Sequence, residues 1–179
     1  MRMRLALRWV ATLWRYAWAA LPSLIGLALA CPALACGATA RRAGGTVEVA
    51  GRPIARTVAR MPPRLRFGAI TFGHVVLGVD HAVLASVRPH EQVHVRQYER
   101  WGPLFLPLYL ASSAVELARG RDPYRDNRFE REAFAMDAAL GVGPITSPIA
   151  AAGHRMRRRR ADGGRAARGL RAAGTRSLR

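Results

Sequence analysis

Twenty-one consecutive residues, Tyr16 to Cys36 (YAWAALPSLIGLALACPALAC), carry no charged side chain, and no other stretch restricts the fold so strongly. As a helix this segment extends about 31 Å, enough to cross a bilayer core of roughly 30 Å. Trp14, Tyr16 and Trp18 stand at its start, where aromatic residues collect at membrane interfaces. The segment therefore reads as an N-terminal transmembrane helix, making the protein a single-pass membrane protein. The alternative is a secretory signal peptide, cleaved after Ala28-Leu29-Ala30 or Ala33-Leu34-Ala35 to release a secreted chain. The apolar run exceeds a typical signal-peptide core of about 7 to 15 residues, which favours the retained anchor. A lipoprotein fits less well, because Cys31 and Cys36 each have alanine rather than leucine three positions before them. Arg2, Arg4, Arg8 and Arg15 on one side face Arg41, Arg42, Arg52 and Arg56 on the other, so basic flanks leave the orientation open.

The only cysteines, Cys31 and Cys36, lie in that run, which excludes a disulfide framework and a cysteine-based zinc site. Any metal must use His, Asp or Glu. Outside the two ends, roughly 110 to 120 residues remain for one modest core. No internal repeat with a period of about 20 to 50 residues points to a solenoid. The expected organisation is a basic N-terminus and anchor over residues 1–40, a single α+β domain over 41–150, and a tail over 151–179.

The formal net charge is +18, from 29 basic residues, all arginine, against 11 acids. The absence of lysine, with abundant alanine, reflects coding bias as readily as a nucleic-acid partner. Arg155 and Arg157 to Arg160 begin a tail almost devoid of large apolar residues, which reads as disordered. Such a patch suits anionic lipid, at about 1 kcal/mol per basic residue near the surface. No aromatic residue is interleaved with these arginines, which argues against a stacking platform for single-stranded nucleic acid.

Within the domain, Thr46-Val47-Glu48-Val49 alternates like a strand beside Gly44-Gly45, suggesting a hairpin. Residues 53–61 suit a short helix stopped by Pro62-Pro63. Residues 67–80 (FGAITFGHVVLGVD) read as one strand, central or edge. Pro89 suits the first turn of a helix running to about Trp101, ended by Gly102-Pro103. Residues 104–118 are nearly all apolar but interrupted by Pro107 and Glu116, and read as a buried core helix. After a polar loop over residues 120–127, a last helix spans about 128–140.

The second predicted helix contains His90-Glu91-Gln92-Val93-His94, an H-E-x-x-H sequence. On a helix, His90 and His94 lie one turn apart on one face and can share a zinc ion, with Glu91 beside the metal's water. Zinc lowers the pKa of that water toward about 7, and a neighbouring carboxylate can take its proton as it attacks a carbonyl. From the composition, random placement yields about 0.005 occurrences of this pattern. The bland alternative is two histidines and a glutamate on the exposed face of an amphipathic helix.

Over residues 67–140, the chain resembles the gluzincin type of zinc metallopeptidase, above all its small bacterial members with an extended H-E-x-x-H-x-x-Q motif. Here that motif reads His90, Glu91, His94 and Gln97. The resemblance implies a minimal zincin-like domain: a short β-sheet, the motif helix, a core helix and a third-ligand helix. It implies Zn2+ as cofactor, held by His90, His94 and a glutamate from the later helix, with Glu91 as catalytic base. A glutamate followed three residues later by alanine is met by Glu130 and Ala133, making Glu130 the first choice and Glu132 the runner-up. The aspartate that often follows the alanine is missing, and Phe134 stands in its place. Glu130 also fits a capping box with Asn127, which needs no metal. The resemblance assigns an extended peptide substrate to the strand edge at Ala69–His74.

His74 and His81 are not assigned to the metal. Tyr98, Tyr109 and Tyr124 are candidate oxyanion donors, but the packed-aromatic reading comes first for each. The resulting expectation is a membrane-anchored zinc metallopeptidase acting on peptides or proteins. The alternative is a non-catalytic membrane-associated protein whose basic tail binds anionic lipid or nucleic acid.

Overall fold

A computed structural model describes residues 16–141; the arginine tail and the first four arginines lie outside the described residues. Its elements are α1 (Ala20–Ala35), β1 (Thr39–Ala43), β2 (Thr46–Ala50), α2 (Arg52–Arg60), β3 (Ala69–Phe72), β4 (Val75–Gly78), α3 (His81–Trp101), α4 (Phe105–Ala118) and α5 (Arg128–Ala139). The fold is α+β, with one mixed four-stranded sheet in the order β1-β2-β4-β3. β1 and β2 form an antiparallel hairpin, β2 and β4 run parallel, and β3 and β4 are antiparallel. Among the described residues, β3 is thus an edge strand, paired on one side only.

The uncharged run does not form the expected spanning helix. A turn at Ala19 interrupts it and α1 has 16 residues. Among the described residues, no helix is long and apolar enough to cross a membrane. Pro22, Gly26 and Ala30, spaced one turn apart, form the buried stripe of α1. A Cβ on Gly26 would lie 2.8 Å from the Val75 Cβ, so this glycine sets how closely α1 meets the sheet. Ser23 adds polar anchors: its Oγ donates to the Ala19 carbonyl at 2.7 Å and accepts the His74 amide at 2.9 Å. Ala30 and Ala38 join Val49, Ile54, Val58, Val75 and Leu77 in one core.

Three further expectations need correction. Residues 67–80 form two strands, because Gly73 (φ 58°) adopts the left-handed conformation that a two-residue hairpin turn requires. Helix α3 begins at His81, well before Pro89, because the Asp80 carboxylate caps it by accepting the Val83 amide at 2.7 Å. Pro89 therefore sits inside the helix, where it lacks an amide for the Ala85 carbonyl. The apolar helix α4 is not a buried core helix: only Phe105 and Glu116 are buried, while Leu110 and Leu117 are 58% and 65% exposed. Its polar side chains, not its leucines, turn toward the protein.

Helix α3 is the central strut. Leu84 packs with Val76 and Ala50 of the sheet, and Tyr98 packs with Phe105 and Phe129 at the other end. Arg88 grips Glu48 of β2 in a bidentate pair, Nε to Oε1 at 2.7 Å and Nη2 to Oε2 at 3.0 Å. The Glu48 side chain is almost fully buried, whereas that of Arg88 is 39% exposed, so the pair lies at the low end of buried ion pairs. Arg88→Met should strand the Glu48 carboxylate and lower the unfolding free energy by about 2 kcal/mol. Denaturant unfolding measures this; an unchanged midpoint would show that the pair does not hold α3 to the sheet.

Candidate metal centre

Helix α3 presents His90 and His94 on the face covered by α5, and Glu130 reaches them from the first turn of α5. All three are buried. The His90 and His94 Nε2 atoms are 3.2 Å apart, His90 Nε2 is 3.2 Å from Glu130 Oε2, and His94 Nε2 is 3.5 Å from Glu130 Oε1. Four-coordinate zinc with ligand bonds of about 2.0–2.1 Å has tetrahedral edges of about 3.3 Å. The three separations match those edges, and the three residues form a group able to hold a metal ion.

The outer hydrogen bonds fix what these atoms offer. Gln97 donates through Nε2 to the Phe129 carbonyl at 3.0 Å and to Glu132 Oε2 at 2.9 Å, so its Oε1 is an acceptor. That oxygen lies 2.9 Å from His94 Nδ1, which must carry the proton. His90 Nδ1 lies 2.9 Å from Asp137 Oδ2 and donates to it. With both imidazoles neutral, the two Nε2 atoms are lone-pair acceptors pointing at one another and at a carboxylate. Glu130 Oε2 has no hydrogen-bond partner despite being buried. Acceptors facing acceptors in a buried place are unfavourable unless a cation lies among them.

The electrostatics point the same way. Burial depresses the His90 pKa, but Glu130, Asp137 and Glu91 around it reverse this and push it up to about 9. Burial raises the Glu130 pKa, yet its contacts with His90, His94 and Tyr109 hold it below the usual carboxylate range. The site thus retains a carboxylate beside imidazoles and takes up positive charge, as a proton or as a metal ion.

Glu91 is buried beside this group, and its Oε2 accepts a 2.6 Å hydrogen bond from the Thr71 hydroxyl on β3. Tyr109 of α4 donates to Glu130 Oε1 at 2.6 Å, and burial next to that carboxylate raises its own pKa strongly. Tyr109 is therefore at the centre. Tyr98 is a core residue whose pKa burial pushes to about 12, and Tyr124 packs on Phe134. Glu132 is exposed and bonds Gln97 outside the cluster. His74 stacks on Tyr16 and pairs with Glu99 at 3.2 Å, while His81 bonds Thr39 at 2.8 Å; neither joins the centre.

The capping-box alternative for Glu130 does not form. Asn127 caps α5 by accepting the Phe129 amide at 2.9 Å, but its own amide donates to the Tyr124 carbonyl, leaving Glu130 to face the histidines. Asn127 is fully buried and also donates to the Tyr109 carbonyl and to Ser113 Oγ, tying α5 to α4.

Sequence reasoning missed Asp137. The expected aspartate position holds Phe134, whose ring packs 5.2 Å from that of His90, and the carboxylate comes from three residues farther along. Asp137 stands seven residues, about two helical turns, after Glu130, so both fall on one face; that spacing was the available signal. In comparisons with known proteins, the chain matches no family model, no curated sequence and no solved structure.

Hydrogen bonds from a ligating histidine to a carboxylate typically account for 10- to 100-fold in metal affinity. If His90, His94 and Glu130 hold a metal ion, Asp137→Ala should weaken its binding by about 10- to 100-fold, measured with zinc as the probe in competition with a chromophoric chelator. Equal affinity in wild type and variant would show that Asp137 does not orient His90 for a metal.

Proposed function

We propose that this protein is a zinc metallopeptidase, with His90, His94 and Glu130 as metal ligands and Glu91 as general base and acid. The observation that supports this most is the convergence of three buried acceptors at tetrahedral-edge distances, with Glu91 next to the first ligand on the same helix. Bound there, zinc supplies a Lewis acid and a water acidified toward neutral pH.

The chain's own groups account for the remaining steps. The edge of β3, with its main-chain groups unpaired on one side, offers hydrogen bonds to an extended peptide, giving affinity with little sequence selectivity. Glu91, held by Thr71, takes a proton from the attacking water as its oxygen bonds the peptide carbonyl carbon. It then returns that proton to the departing nitrogen as the C–N bond breaks. Thr71 lies on β3 itself, so one short strand both presents the substrate and orients the base. Attachment to a membrane through the uncharged segment is part of the same proposal and rests on that segment's composition.

Glu91→Gln keeps the size and packing of the side chain but cannot take up a proton. It should retain zinc and lose about 100-fold or more of peptide hydrolysis, measured on a mixture of unstructured peptides by mass spectrometry. Undiminished hydrolysis in this variant would overturn the assignment of Glu91. Bound zinc without hydrolysis of any peptide by the wild-type chain would instead favour a metal-binding domain of the same fold.

A further inference from the structure

The exposed surfaces of α1 and α4 share a feature that a water-facing surface lacks. Among the described residues of α1, the only hydroxyl side chain, Ser23, is turned inward to the Ala19 carbonyl and the His74 amide. The outer face carries Leu21, Leu24, Ile25 and Leu29, with Leu24 61% exposed. On α4 every polar side chain is likewise turned in or paired. Tyr109 donates to Glu130, Ser112 accepts the Arg128 amide, and Ser113 accepts from Asn127. Glu116 is buried and neutralised by Arg119 and Arg121. What remains outside on α4 is leucine, valine, alanine and proline.

The segments leading into the two helices meet: the Trp18 indole packs on Gly102 so closely that a Cβ there would lie 2.6 Å from Nε1. Trp101, next to Gly102 in the chain, adds a second indole here, with Arg100 over its ring. Exposed arginines lie beyond the C-terminal end of each helix: Arg41 and Arg42 on β1 after α1, and Arg119 and Arg121, paired with Glu116, after α4. An outer face free of hydrogen-bonding groups, bordered by aromatic residues and arginines, matches hydrocarbon beneath anionic head groups. An interface with a second protein copy would carry a polar rim.

Neither helix reaches across a bilayer. At 1.5 Å per residue α1 is about 24 Å long and α4 about 21 Å, against a core of roughly 30 Å. The inner stripe of α1 is also committed to the β3–β4 hairpin, and an edge strand with unpaired backbone groups cannot enter hydrocarbon. We propose that α1 and α4 together form a monotopic surface, seated in one leaflet of an anionic membrane, instead of a single crossing helix. This rests on the membrane half of the proposed function and is independent of the metal.

The test uses the full chain with vesicles of phosphatidylcholine and phosphatidylglycerol. The protein should float with the vesicles, and alkaline carbonate should release it. Leu110→Asp combined with Leu117→Asp should reduce vesicle partitioning about tenfold or more with an unchanged circular dichroism spectrum. As a second readout that leaves α4 intact, a fluorophore can be placed on Leu24→Cys in a chain with Cys31→Ser and Cys36→Ser. It should be quenched best by bromines high on the acyl chains. Retention through carbonate, undiminished binding of the α4 variant, or strongest quenching from the bilayer centre would overturn the inference while sparing membrane attachment. Failure to float at all, with the chain sedimenting as a dimer, would overturn membrane attachment itself and assign the apolar face to a second copy.

Discussion

Three lone-pair-bearing groups aimed at one buried point form the constraint around which this structure is organised. Each of His90, His94 and Glu130 has had its alternative partner taken or withheld. Asp137 and Gln97 occupy the two Nδ1 protons, and the Asn127 amide, which a capping glutamate would accept, is bonded to Tyr124. With the imidazoles neutral, the remaining acceptors cannot satisfy one another. A proton on His90 or a metal ion reconciles the geometry, and the three separations are ones a four-coordinate metal ion could bridge.

The rest of the fold serves that convergence. The sheet fixes α3 through Leu84 and the Arg88–Glu48 pair, and α3 in turn carries both histidines and Glu91. Helix α5 is held at the correct height by Asn127, whose amide bridges to α4, and by Gln97, which binds the Phe129 carbonyl. Gln97 thus both orients His94 and ties α3 to α5. Tyr109 completes the enclosure from α4, whose opposite face is apolar.

Local chemistry was legible in the sequence, and partnership across the chain was not. The pairing of His90 with His94 follows from helical periodicity, and the β2 strand and the helix from residue 128 follow from alternation and capping. Asp137 stayed hidden because its partner is 47 residues away and Phe134 occupied the expected place. The start of α3 was misplaced because Pro89 resembles a first-turn proline, while the Asp80 cap nine residues earlier outweighs the one hydrogen bond that Pro89 forgoes. The single strand expected over residues 67–80 overlooked Gly73 as a turn. Helix α4 illustrates a deeper limit: apolar composition sets what a helix avoids, water, but not whether protein or another medium covers it.

The most direct measurement is the zinc content of the purified full chain, wild type beside His90→Ala and Glu130→Ala, after supply of zinc and removal of excess. Using the full chain matters because Ala30 and Ala38 belong to the same core as the sheet. The account predicts about one zinc per wild-type chain and a loss of bound metal in both variants. A folded wild-type chain that binds no zinc, or variants that bind as much as wild type, would contradict it.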